Sequence, residues 1–185
     1  MNTGSTSKVR EMTITALMAA VICVLGPISV PIGPVPISLT NLAIYFVLYA
    51  VGTKRGLSAF LIYLLLGLAG LPVFSGFTGG PQKLFGPTGG YIIGFLGMTL
   101  VAGLFIDRFT EKRIRCILGM FLATLIPYVL GTLWLADSAH MTFKAALAAG
   151  VLPFVWEDVL KMAAAAALGP VIRNRLRRAG LCCYE

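Results

Sequence analysis

The chain has 185 residues, of which 58% are hydrophobic and only 12% charged, and its mean hydropathy is +0.90. A soluble globular domain carries about 25% charged residues, so half that share, spread as apolar blocks over the whole length, excludes a soluble fold and predicts an all-α integral membrane protein with one transmembrane domain over 1–185. The net charge of +8 points first to nucleic acid, but the positions of the charges exclude that reading below.

Residues 1–10 read as a polar tail with Lys8 and Arg10, and no small-residue cleavage site follows the first apolar segment, so no cleavable signal peptide is expected. The first span is predicted over 12–29. Its Ala16 and Ala20 form a small-xxx-small face that admits close approach of another helix. Pro27, Pro31, Pro34 and Pro36 then forbid a helix. The segment is nevertheless apolar and uncharged, so it is expected to fold back over the bundle as a stiff, extended flap.

The second and third spans, predicted over 40–52 and 56–71, are short against the ~20 residues a crossing normally needs. The basic turn Gly52-Thr53-Lys54-Arg55-Gly56 joins them into a helical hairpin that leaves a hollow on the outer side. Gly70–Tyr91 is the candidate lining of that hollow. It has seven glycines, the rings of Phe74, Phe77, Phe85 and Tyr91, and almost no charge. Glycine lets backbone amides approach a ligand, and aromatic rings beside small polar groups suit a mostly apolar site with a few orienting contacts. The loop lacks the Gly-Lys-Ser/Thr ending of a phosphate loop.

Further spans are predicted over 90–106, 116–136 and 148–172, which makes six. Pro127 is expected to kink the fifth, and Trp134 to lie at an interfacial level. His140, the only histidine, reads as a solvated loop residue. Cys23, Cys116, Cys182 and Cys183 lack zinc-like spacing and are expected to be free thiols, with no metal site. With a cytoplasmic N-terminus, twelve Lys and Arg residues fall inside and two, Lys83 and Lys144, outside; Lys161 remains in the membrane. That bias places both termini in the cytoplasm and makes the +8 an orientation signal suited to anionic lipid headgroups, not nucleic acid.

The last span carries Trp156-Glu157-Asp158-Val-Leu-Lys161. A charged side chain at mid-membrane costs roughly 2.5–3.5 kcal/mol on insertion scales, so it tends to face a partner, a cavity or a ligand. Asp158 and Lys161, three apart, share one helix face and are expected to line the wall of the outer hollow. Glu157 is turned ~100° from Asp158, toward the membrane boundary or another helix, and is not assigned to the site.

Four strings in order, Pro34-Val-Pro36-Ile-Ser-Leu, Gly67-Leu-Ala-Gly70-Leu-Pro72-Val-Phe74, Gly86-Pro-Thr-Gly-Gly90-Tyr91 and Asp158-x-x-Lys161, resemble the BioY family, the biotin-binding S components of energy-coupling factor (ECF) transporters. One departure is visible: the family often has Gln after Leu39, where Thr40 and Asn41 stand. The resemblance implies the six-helix S-component fold and capture of biotin across the bacterial plasma membrane. It also implies docking on a transmembrane T component with two cytoplasmic ATPases, through Ala16 and Ala20. It implies a ligand site drawn from Asn41, Phe74, Thr78, Gly79, Gln82, Gly89, Gly90, Tyr91, Trp156, Asp158 and Lys161, with Phe77 and Phe85 as further candidates for its apolar wall. Biotin is then the transported substrate, and no cofactor is expected. An S component for a thiamin- or riboflavin-like vitamin is the alternative, and an intramembrane enzyme a remote one. Against catalysis stands the absence of any nucleophile paired with a base.

Overall fold

A computed structural model describes residues 3–180, so Cys182 and Cys183 lie outside the described residues. Helix α1 runs over Thr3–Leu25, so residues expected to form a polar tail are helical instead. Of its charged groups, Arg10 donates to the Gly180 carbonyl, and Glu11, the next residue, pairs with Arg55 at 2.9 Å. The helix stops short of the predicted residue 29 because Pro27 follows Gly26 and cannot continue it.

The proline-rich segment forms a minimal hairpin. Strand β1 (Ser29–Val30) pairs antiparallel with β2 (Ile37–Ser38), in register Ser29↔Ser38 and Val30↔Ile37. Pro31 and Pro36 flank these pairs, and without an N–H they cannot extend the ladder.

Helix α2 spans Thr40–Leu68 but is broken at Gly52, whose φ of 77° and ψ of 179° are non-helical. An ideal Cβ on Gly56 would lie 3.7 Å from the Leu48 Cα. In an unbroken helix eight residues advance about 12 Å, so the arms 40–51 and 53–68 fold back on each other. Only glycine adopts this backbone region without strain of about 1–3 kcal/mol. Gly52→Ala is therefore expected to lower stability by about that amount; a melting temperature in detergent equal to that of the parent would count against it.

After the glycine-rich loop and its single short turn α3 (Pro81–Phe85), α4 (Gly89–Phe109) and α5 (Arg113–Ser138) pack as a long antiparallel pair. Helix α6 (Phe143–Gly150) is separate from α7 (Leu152–Arg178), although 148–151 was expected to open the last span. The break lies at Val151, beside Gly150, where a Cβ would fall 2.0 Å from the Tyr91 hydroxyl oxygen. Pro153 in the first turn of α7 gives up an N–H that has no helical partner there.

The core is built on the first arm of α2, with Tyr45, Leu48 and Tyr49 fully buried among α4, α5 and α7. Leu65, Leu104, Leu122, Val129, Leu160 and Leu168 are exposed, as expected where the solvent is lipid. Among the described helices, α4 and α5 are each long and apolar enough to cross a membrane by length and composition, and α2 reaches such a length only across its break at Gly52. The remaining long helices, α1 and α7, carry charges within their span.

The two ends of the bundle differ. At one, Asp107 accepts from the Thr53 N–H (2.9 Å) and hydroxyl (2.6 Å) and pairs with Arg173 at 3.2 Å. Arg173 also donates to the Thr110 hydroxyl at 2.5 Å. This knot ties the α2 bend to the ends of α4 and α7. At the opposite end sit the β-hairpin, the glycine-rich loop and α6.

Candidate functional site

A cavity opens at the hairpin end, with an empty volume of about 660 Å³, open solvent at its mouth included. Val35, Pro36 and Ser38 of the hairpin roof it; Thr40, Asn41 and Tyr63 line it from α2. Phe74 and Ser75 come from the glycine-rich loop, Tyr91, Ile92 and Phe95 from α4, and Thr124, Pro127 and Tyr128 from α5. Helix α7 contributes Phe154, Glu157, Asp158 and Lys161. The wall is thus apolar and aromatic on most sides, with all its charge on one helix.

Asp158 is the centre of the polar side. Its Oδ1 accepts from the Asn41 amide, and its Oδ2 accepts from the Tyr128 hydroxyl at 2.5 Å. Lys161 Nζ lies 3.8 Å from Asp158 Oδ1 and donates to Glu157 Oε1 and to the Ser38 carbonyl. The side chains of Asp158 and Lys161 are 7% and 9% exposed. Buried carboxylates persist only when paired and hydrogen-bonded. Here helices α2, α5 and α7 and the hairpin supply those partners together. Lys161 also fixes the hairpin, because it holds the backbone of β2.

Of the residues predicted from sequence, the structure brings Asn41, Phe74, Tyr91, Asp158 and Lys161 to this cavity. Tyr91 is wedged against Gly131 and Gly150 and donates to the Gly150 carbonyl at 3.1 Å. Trp156 is 81% exposed and turned away from the cavity, since it stands two residues from Asp158 on the helix. Phe77 and Phe85 are likewise exposed. Thr78 and Gln82 are exposed, and the Thr78 hydroxyl is used on the Ser75 carbonyl.

Three of the glycines serve packing. A Cβ on Gly79 would lie 2.2 Å from the Leu71 carbonyl oxygen, one on Gly89 1.6 Å from that of Leu84, and one on Gly90 2.4 Å from the Trp134 Cβ. The loop therefore closes on itself and on α5, and Trp134 anchors it through a 3.0 Å bond to the Gly86 carbonyl. On α3, partial burial lowers the Lys83 ammonium from its ordinary value by desolvation.

Sequence reasoning missed Tyr128 and misplaced Glu157. Tyr128 reaches Asp158 across the α5–α7 contact, thirty positions away, and nothing local marks it. Glu157 was expected to face the membrane boundary or another helix, but it lines the cavity and pairs with Lys161. The signal was present: Glu and Lys at i and i+4 on a helix meet across one turn.

Against known proteins, the sequence profile of the BioY family matches residues 1–178. The chain is 40% identical to the probable biotin transporter BioY of Pyrococcus horikoshii, over 92% of this chain and 98% of that protein. It is 38% identical to the biotin transporter BioY2 of Lactococcus lactis subsp. cremoris, over 84% of this chain and 85% of that one. Its fold is similar to that in the crystal structure of the S-component for biotin from an ECF-type ABC transporter. The TM-score is 0.83 at 29% identity, covering 91% of this chain and 93% of the other.

Proposed function

This chain belongs to the BioY family, and from that premise we propose that it is the biotin-capturing S subunit of an ECF transporter. The likeness to the biotin S-component over nine-tenths of the chain carries the reading. The cavity supports it chemically. Biotin joins a cyclic urea with two N–H donors and one carbonyl, an apolar thiophane ring and a carboxylate tail. The ring suits the wall of Phe74, Tyr91, Ile92, Phe95 and Phe154, and the polar groups suit Asn41, Asp158 and Lys161. An ionised Asp only accepts and a Lys only donates, so the pair can serve both the donors and an oxygen of this ligand.

The protein sits in the bacterial plasma membrane with its hairpin end outside and both termini in the cytoplasm, in keeping with twelve basic residues on one side and two on the other. Biotin is cargo, no cofactor takes part, and the chain is not an enzyme. Active uptake needs a T component and two ATPases, because no nucleotide-binding motif occurs in the sequence. Ala16 and Ala20 are exposed on α1, a surface open to that T component. ATP-driven toppling of the subunit in the membrane would then turn the cavity inward.

Purified protein is expected to bind labelled biotin, with unlabelled biotin competing and thiamin and riboflavin not. No binding, or displacement by another vitamin, would sink the assignment. Tyr128→Phe removes one of the two neutral donors to Asp158 and is expected to weaken biotin by about tenfold, the effect of a hydrogen bond to a charged group. An unchanged dissociation constant would show that this bond does not position Asp158 for the ligand.

A further inference from the structure

At the end of the bundle opposite the cavity, the turn between α4 and α5 holds a depression with an empty volume of about 900 Å³, open solvent included. Arg108, Phe109, Lys112 and Arg115 line it together with the acids Asp107 and Glu111. Those acids do not neutralise it. Asp107 is already bound to Thr53 and Arg173, which leaves Glu111 alone against Arg108, Lys112, Arg113 and Arg115. Among the described residues none of these four cations has an ion pair, and all four are exposed. The Arg115 guanidinium is held over the turn, 5.3 Å from the centre of the Phe109 ring.

Next to these cations the surface is apolar. On α4, Leu104 stands one helical turn before Arg108 on the same face; on α5, Leu118 and Leu122 follow Arg115 at i+3 and i+7. The three leucines are 57%, 57% and 52% exposed, on helices long and apolar enough to cross a membrane. Each helix therefore ends an exposed leucine stripe in an arginine that has no acidic partner. Apolar wall followed by cation is the order in which a lipid carries its acyl chains and its phosphate. A free phosphate ion would match the arginines and leave the leucines unused.

We propose that the α4–α5 turn is a binding site for an anionic phospholipid of the cytoplasmic leaflet, with Arg108, Lys112 and Arg115 on its phosphate and Leu104, Leu118 and Leu122 along its acyl chains. A guanidinium meets phosphate oxygens with paired N–H donors, and the negative cytoplasmic leaflet supplies such lipids next to the turn. A zwitterionic lipid would bring its own ammonium into a depression that already holds unpaired cations, and is disfavoured. The phosphate engages cations that the Asp107 knot does not use, so the tie between α2, α4 and α7 stays intact with lipid bound. The site lies at the other end of the molecule from the cavity and does not depend on the biotin reading.

The test is titration of the purified full chain in detergent with phosphatidylglycerol or phosphatidylcholine, with bound lipid counted by native mass spectrometry. The parent is expected to bind phosphatidylglycerol at least about tenfold more tightly, since each cation near an anionic headgroup contributes about fivefold. Arg108→Gln and Arg115→Gln should each cost about fivefold, and the two together about twenty-five-fold. Arg177→Gln with Arg178→Gln, which removes the same charge from the exposed end of α7, should change binding less than twofold. Equal losses in the two double variants would overturn the proposal, because total charge and not the turn would then hold the lipid. Equal binding of the two lipids by the parent would overturn it as well. So would full displacement of phosphatidylglycerol by millimolar inorganic phosphate, which would make the turn a site for a free anion. Each single variant is its own check if the double variant does not fold, and an unchanged melting temperature in detergent shows that the fold is kept.

Discussion

Lys161→Ala is expected to reduce biotin binding by at least about a hundredfold and to lower the stability of the protein, because breaking a buried pair by removing one partner costs about 3–5 kcal/mol. Among the described residues the lysine is the only cation lining the cavity, and it serves three groups at once. Its loss leaves Glu157 and Asp158 as adjacent carboxylates facing the same space, and it frees the Ser38 carbonyl that fixes the hairpin over the cavity. Ligand affinity and hairpin placement should therefore fail together. Equilibrium binding and a thermal melt of the purified variant check this. Parental affinity in a folded Lys161→Ala protein would show that the ammonium does not serve the ligand. Lys161→Arg should not rescue fully, since a planar guanidinium is a poor replacement for a point charge held among three acceptors.

Asp158→Asn should separate binding from folding. The amide keeps the volume of the carboxylate, and Lys161 keeps Glu157 and Ser38 as partners, so the bundle is expected to stay folded. Recognition changes more. A carboxylate accepts at both oxygens, as the Asn41 amide and the Tyr128 hydroxyl require, whereas an amide has one acceptor and one donor end. One of those contacts becomes donor against donor or must rearrange, and the acceptor offered to a ligand N–H is weakened. Losing a hydrogen bond to a charged group costs about 1.5–3 kcal/mol, so biotin is expected to bind roughly tenfold to a hundredfold more weakly. If thermal stability collapses while affinity per folded molecule is retained, Asp158 is a structural anchor and not a ligand contact.

Much of the fold was legible because membrane insertion leaves a strong imprint on composition. Apolar blocks, prolines that cannot lie within a helix, and Gly52 beside two basic residues marked the order of the helices, although α1 begins nine residues before the predicted start at 12 and α7 runs six residues past the predicted end at 172. The deviations have local causes. The first helix starts early, with Arg10 held by the Gly180 carbonyl just past α7 and Glu11 paired with Arg55 on α2. The last span splits because Tyr91, from a distant helix, occupies the space beside Gly150.

The sequence by itself determined that this chain lies in a membrane, that its basic residues gather at one end, and that Asp158 and Lys161 share a helix face. Hydropathy, proline chemistry and the 3.6-residue repeat depend on residues close along the chain. The tertiary structure alone decided which neighbours complete the site. It brought in Tyr128 and Asn41, turned Glu157 toward the cavity and left Trp156 outside it. It also showed that Gly79, Gly89 and Gly90 close the loop against its neighbours instead of lining the hollow. The physical reason is that a buried charge takes its partners from whatever helices pack around it, and sequence distance carries no trace of that choice.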